Sequence, residues 1–198
     1  MKAVVFDIGN VLVAWDPHAA FLPELKADDA VRAFLERVGF GALNLRADQG
    51  ESCADLATEI SDSADRALFA SYPARFHLTI AQAIPETWDI ARRLAMRGIA
   101  LHGITNWSAE TWPVGLATHP GLATLLDQII VSGQERLLKP APEIYARFCA
   151  RTRLEPETCL FIDDSEKNVA GAISFGMEAF QFTTPRALEA QLLARGLL

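Results

Sequence analysis

The run Ala3-Val4-Val5-Phe6, followed at once by Asp7-Ile8-Gly9-Asn10, constrains the fold of this chain more than any other stretch. A continuous apolar segment of that length suits a strand buried on both faces of a parallel sheet. Gly9 and Asn10 then turn the chain off the strand. Asp7 is thereby placed at the carboxyl end of a central strand, where open α/β sheets bind their ligands. A carboxylate in that position is costly unless it meets a cation or does chemistry.

Three further apolar runs end in polar clusters. The run 99–104 leads into Thr105-Asn106, and Ile129-Ile130-Val131 leads into Ser132-Gly133 with Lys139-Pro140 shortly after. Cys159-Leu160-Phe161-Ile162 leads into Asp163-Asp164-Ser165. The C-termini of parallel strands lie along one edge of a sheet. The clusters therefore converge on one crevice, which holds Asp7, Asp163, Asp164, Thr105, Asn106 and the ammonium of Lys139. Three carboxylates sharing one cation call for a further positive charge. Hard oxygen donors of this kind suit Mg²⁺, which also takes phosphate oxygens as ligands. Each cluster also has a plainer explanation: Asp163-Asp164-Ser165 as a helix N-terminus, Thr105-Asn106 as a turn, Lys139 as a solvated loop lysine. Capping accounts for one acid and leaves the second unexplained, and the recurrence along one sheet edge favours a site.

The remaining chain supplies a scaffold for that edge. Residues 18–81 carry helical periodicity, with helices expected at 19–22, 30–38, 53–60 and 65–72 and a loop at 45–51. A helix opens at Pro85 and is closed by Gly98. Strands at 99–105, 127–131, 159–162 and 177–182 then alternate with helices at 108–117, 142–152, 166–175 and 185–195. That order predicts an α/β fold with a doubly wound, Rossmann-like parallel sheet. Residues 1–14 and 83–198 form its core, and 15–82 form a small helical cap. A length of 198 residues accommodates both, and 51% apolar residues predict a packed core. The net charge of −7, with no basic run, argues against a nucleic-acid partner. No stretch is apolar enough to span a bilayer, and no leader precedes the first strand. The cysteines Cys53, Cys149 and Cys159 are scattered without a CxxC, which points to reduced thiols. The expectation is a cytoplasmic monomer or homodimer without nucleic-acid or membrane partners.

Taken in order, four segments carry a resemblance. They are Phe6-Asp7-Ile8-Gly9-Asn10-Val11, Ile104-Thr105-Asn106, Lys139-Pro140-Ala141-Pro142-Glu143-Ile144-Tyr145, and Phe161-Ile162-Asp163-Asp164-Ser165 with Asn168, Gly171-Ala172 and Gly176-Met177. Over essentially its whole length the chain resembles the haloacid dehalogenase superfamily of hydrolases, in the subgroup with a helical cap after the first strand. The resemblance implies hydrolysis of a small phosphorylated metabolite, such as a sugar phosphate, through an aspartyl-phosphate on Asp7. It implies Mg²⁺ held by Asp7, the Gly9 carbonyl, Asp164 and, directly or through water, Asp163. Thr105, Asn106 and Lys139 would meet the phosphate oxygens.

One position departs from the pattern. The family's phosphatases usually carry a second Asp two residues after the nucleophile, as general acid; here that position is Gly9. The Asp-x-Gly-Asn reading is closest to the subgroup that includes sugar-1-phosphate phosphatases and the phosphatase domain of some epoxide hydrolases. Either another group supplies the proton or the leaving oxygen tolerates negative charge. Asp16 is one candidate, although capping a helix at Pro17 explains it better. The stretch 45–51 puts Arg46 and Asp48 on a loop that could contact substrate, with Arg46 placed to bind the far side of an anionic or hydroxylated one and a solvated loop as the competing account. Trp15 and Trp107 either line the crevice or pack a hinge. His18, His77, His102 and His119 show no metal spacing. Two alternative functions share the scaffold: a metal-independent 2-haloacid dehalogenase, which Asp163-Asp164 disfavour by repelling a carboxylate substrate, and a non-catalytic binding protein, which the intact Asp7, Thr105, Lys139 and Asp164 disfavour.

Overall fold

The computed structural model describes residues 1–198. Five strands, β1 (Ala3–Phe6), β2 (Ala100–Thr105), β3 (Gln128–Val131), β4 (Cys159–Asp163) and β5 (Glu178–Gln181), form one sheet in the order β3-β2-β1-β4-β5. Every pairing is parallel. The chain winds outward through β2 and β3, then returns to the other side of β1 for β4. That reversal opens a crevice beyond the C-termini of β1 and β4. Phe6 pairs with Ile162, so Asp7 and Asp163 emerge side by side.

Strand periodicity divides the core between the two faces. Val4, Phe6, Leu101, Leu160 and Ile162 pack in one cluster with Trp88, Ile90 and Leu94 of the helix Pro85–Met96 and with Leu188 and Leu192 of Pro185–Ala194. Ala3, Val5, Ile104, Ile130 and Phe161 pack in another with Ile144, Tyr145 and Phe148 of Pro142–Thr152 and Ala172 of Glu166–Phe175. All four β1 residues are buried, which accounts for the unbroken apolar run.

Between β1 and Pro85 lies a helical insertion. A 3₁₀ turn, Pro17–Ala20, precedes the helices Leu22–Leu25, Asp28–Arg37, Phe40–Asp48, Cys53–Ala57, Ser63–Ala70 and Tyr72–Thr79. Phe21, Phe34, Phe40, Phe69, Tyr72 and Phe76 stack in its interior, with neighbouring ring centroids 4.8–6.2 Å apart. Phe76 then meets Trp107 at 5.4 Å, so the apolar cluster continues into the sheet layer. The chain enters and leaves the insertion side by side: Ala14 N–H donates to Gln82 O at 2.9 Å, and Ile84 N–H to Leu12 O at 2.8 Å.

Three local expectations require correction. Residues 45–51 are not a loop throughout, because the helix Phe40–Asp48 runs through their first half. Its buried face, Phe40, Leu43 and Ala47, has helical spacing, but Gly41 and Asn44 are weak helix formers that mask it. The helix after β2 starts at Trp112 rather than near 108, with Pro113 in its first turn, where a missing N–H is harmless. Tyr72–Thr79 is a helix of its own. No helix is long and apolar enough to cross a membrane.

Candidate active site

Asp7 is the first residue beyond β1. Its Oδ1 accepts from Ile8 N–H at 2.6 Å and lies 2.9 Å from Lys139 Nζ. Lys139 is only 3% exposed; its ammonium also donates to Asp163 Oδ2 at 2.6 Å and to Ile104 O at 2.9 Å. The loop bearing Lys139 is held from two sides. The Asn106 side chain clasps the Lys139 backbone, accepting from its N–H at 2.9 Å and donating to its carbonyl at 3.1 Å. Gly171 packs against Pro140 so closely that a Cβ would sit 2.6 Å from the Pro140 oxygen. Asp163 is fully buried and surrounded by donors: Ser165 N–H at 2.8 Å, Asn168 Nδ2 at 3.0 and 3.2 Å, and Lys139. Ser165 makes no side-chain cap for the helix Glu166–Phe175. Asp164 instead lines the cavity, with the Asn10 side chain favouring its charged form.

The charges do not balance within the protein. One carboxylate oxygen from each of Asp7, Asp163 and Asp164 lies within 4.8 Å of the others. The Asp7 carboxyl is raised to about 7, by burial above all and also by Asp163 and Asp164, while Lys139 pulls it down. Asp164 is raised by burial and by Asp163. Burial alone would lower Lys139, but Asp7 and Asp163 more than offset this and hold it above the ordinary lysine value. A backbone group adds to the donor set. The amides of Val11, Leu12 and Val13 all donate to Ile8 O, and no amide donates to the Gly9 carbonyl. Asp7, Gly9 and Asp164 line the same cavity, so two acids and a residue whose carbonyl accepts no amide border a space that wants a cation. This fits a hard divalent ion such as Mg²⁺.

Gly9 itself is not left-handed. The turn off β1 is made by Asn10, at φ 56°, and a Cβ on Gly9 would meet nothing within 4 Å. Its lack of a side chain is therefore a chemical feature of the site rather than a backbone requirement.

The cavity has a volume of about 190 Å³. Asp7, Gly9, Asn10, Asn106 and Asp164 form its floor, and Trp15, Asn44, Asp48, Phe76 and Trp107 form the rest of its lining. Asp163 and Thr105 lie buried at the ends of β4 and β2, and Lys139 is buried beside them. Both tryptophans thus line the crevice. Asp16 does not line it: its Oδ1 accepts from His18 N–H at 3.0 Å and caps the 3₁₀ turn. Arg46 does not line it either, contrary to the sequence expectation, because its guanidinium makes paired contacts with Glu51 and Glu59 at 2.6–2.8 Å. Asp48, two residues further along the same helix, enters the cavity in its place. Enclosure by protein raises the Asp48 carboxyl to about 7; the Ser108 amide and Lys139 act against the shift, and Asp7 adds to it. No motif marks Asp48, and only the recognition of helix Phe40–Asp48 would have set it one turn from Asn44.

A family model described as haloacid dehalogenase-like hydrolase matches residues 1–176. Among curated proteins, the chain is 27% identical over 187 residues to Phosphatase MT3486 of Mycobacterium tuberculosis (strain CDC 1551 / Oshkosh), covering 91% of this chain and 86% of that one. A HAD family enzyme from Bacteroides thetaiotaomicron, solved with magnesium and inorganic phosphate, superposes with a TM-score of 0.71 at 17% identity over 92% of this chain and 94% of that one. An L-2-haloacid dehalogenase from Xanthobacter autotrophicus superposes with a TM-score of 0.64 at 19% identity over 100% of this chain and 84% of that one. At such identities the solved structures establish a shared fold.

Proposed function

The chain belongs to the haloacid dehalogenase-like hydrolases, and from that premise we propose that it is a Mg²⁺-dependent phosphatase acting on a small phosphorylated metabolite through an aspartyl-phosphate on Asp7. The observation that carries this reading is the charge imbalance at the strand ends: three carboxylates within 4.8 Å of one another and one buried lysine. The curated relative is named a phosphatase, and one structural neighbour was solved with magnesium and phosphate.

Asp7 Oδ1 is held by Ile8 N–H and Lys139, which leaves Oδ2 to attack phosphorus. As that bond forms, the bond to the leaving oxygen breaks, and the leaving oxygen takes a proton. Water then attacks the aspartyl-phosphate and regenerates Asp7. Lys139 orients Asp7 and stabilises charge on the phosphoryl oxygens, together with Thr105 and the amides that follow it. Asn106 contributes by positioning Lys139. Asp7, the Gly9 carbonyl and Asp164, with Asp163 directly or through water, would hold Mg²⁺, which when bound would supply charge neutralisation between nucleophile and phosphate. Trp15, Phe76, Trp107 and Asn44 form an aromatic and amide wall with no cation. That wall suits a neutral, hydroxylated leaving group such as a sugar.

Asp48 beside that wall disfavours the dehalogenase alternative, because a carboxylate substrate would meet an acid and no arginine in the cavity lining. The test is activity against chelation. EDTA should lower turnover of 4-nitrophenyl phosphate by about 10²-fold or more, and Mg²⁺ should restore it. Asp164→Asn should raise the Mg²⁺ concentration needed by about 10–100-fold, the range typical when a metal site is weakened. Chloride release from 2-chloropropionate at full rate in EDTA would instead establish the dehalogenase.

A further inference from the structure

We propose that Asp48 is the general acid of this enzyme: it donates a proton to the leaving oxygen from the insertion side of the cavity and then takes one from the hydrolytic water. This inference rests on the phosphatase reading and supplies the function that Gly9 cannot. Three carboxylates line the cavity, Asp7, Asp48 and Asp164. Asp7 is committed to attack and Asp164 to the carboxylate-rich floor beside it, which leaves Asp48 as the cavity carboxylate free to carry a proton. It also reaches the cavity from the helical insertion, whereas Asp7, Gly9, Asn106 and Asp164 follow the strand ends.

Asp48 is held in place by several contacts. Asn44, one helical turn earlier, donates to its Oδ2 at 3.1 Å. Its backbone carbonyl accepts from Ser132 Oγ at 2.6 Å, and the same Oγ accepts from Trp107 N–H at 2.9 Å, tying the helix end to the sheet edge. Gly50, at φ 103°, lies so close to the core that a Cβ would be 2.9 Å from Gly133 O. This backbone-to-backbone contact sets the distance between Asp48 and the strand ends.

The surroundings suit a proton carrier. The ionisable groups that sense Asp48 are Asp7, Lys139, Cys53 and Tyr72. Asp7 and the enclosure disfavour its anion, Lys139 and Ser108 favour it, and the result near neutrality matches what a general acid requires. The proton count closes over one cycle. Asp48 gives its proton as the bond from phosphorus to the leaving oxygen breaks. It regains one from water as the water oxygen bonds to the phosphorus of the aspartyl-phosphate and Asp7 departs.

The experiment compares wild type and Asp48→Asn, both with Mg²⁺, across phosphate esters from 4-nitrophenyl phosphate to primary alkyl phosphates, with pH profiles of kcat/KM. Wild type should depend only weakly on leaving-group basicity. Asp48→Asn should lose about 10²–10⁴-fold in kcat/KM on primary alkyl phosphates and less than about tenfold on 4-nitrophenyl phosphate, whose anion leaves unaided; kcat/KM excludes the hydrolysis of the aspartyl-phosphate, which all esters share. The alkaline fall of the wild-type alkyl profile should vanish in the variant. Retained 4-nitrophenyl turnover reports that the variant folds. A uniform loss of kcat/KM across all esters, as a merely structural role would give, overturns the proposal, and so does a wild-type dependence of kcat/KM as steep as the variant's. Failure of wild type to turn over any ester with Mg²⁺ is a different result, and it removes the phosphatase reading itself.

Discussion

Asp7→Asn should lower phosphate-ester turnover by about 10⁴-fold or more, yet leave a folded protein that is more stable than wild type in EDTA. The activity loss follows because no other carboxylate lies where Lys139 and the Ile8 amide hold the attacking group. The stability gain follows from the same geometry. Burial raises the Asp7 carboxyl from 3.8 to about 7. The folded state therefore binds a proton there more tightly than the unfolded chain does. The stabilisation from Asp7 is complete below about pH 4 and is lost as pH rises through about 7. The variant escapes that loss. Its advantage in Tm should open between about pH 4 and 7, at roughly 2–4 °C for each kcal/mol in a chain of this size. Thermal melts of both proteins in EDTA at pH 5 and pH 8 check this. A difference in Tm that is the same at both pH values would mean that Asp7 titrates normally.

Lys139→Met should be the most damaging substitution to stability. The ammonium makes contacts of 2.9 Å or less with Asp7, Asp163 and Ile104 O and is shielded from water. Removing one partner of a buried ion pair leaves the others uncompensated, at a cost of about 3–5 kcal/mol. That corresponds to a fall in Tm of roughly 6–20 °C. The loss should be smaller at pH 5, where Asp7 is protonated, and Mg²⁺ should offset part of it at pH 8. Turnover under saturating Mg²⁺ should fall by a further 10²–10³-fold, about what removal of one preorganised charge donor produces. A variant that melts within about 2 °C of wild type in EDTA would show that Lys139 is not essential to the charge balance.

Much of this site is legible before folding is considered, because its signals are local. An apolar run that stops at an acid identifies a buried strand and its end. Pro142 and Gly176 mark helix boundaries through missing donors and left-handed backbone, so the helices Pro142–Thr152 and Glu166–Phe175 fall where the sequence places them. Parallel pairing then brings Asp7 and Asp163 together without further information. The helical insertion is less legible. Gly41 and Asn44 obscure the helix that carries Arg46 and Asp48, and an arginine is the more conspicuous candidate of the two.

The sequence by itself determined the parallel α/β core, the order of its strands and helices, and the acids and lysine at the sheet edge. These follow from side-chain period, local caps and the shared polarity of parallel strands. Only the tertiary structure decided what faces those groups. Glu51 and Glu59 draw Arg46 away, Asp163 is enclosed by donors and leaves Asp164 to the cavity, and the close approach of Gly50 to Gly133 helps bring Asp48 into the cavity that Asp7 lines. Each depends on contacts between segments far apart in the chain, and neither spacing nor composition encodes how such segments dock.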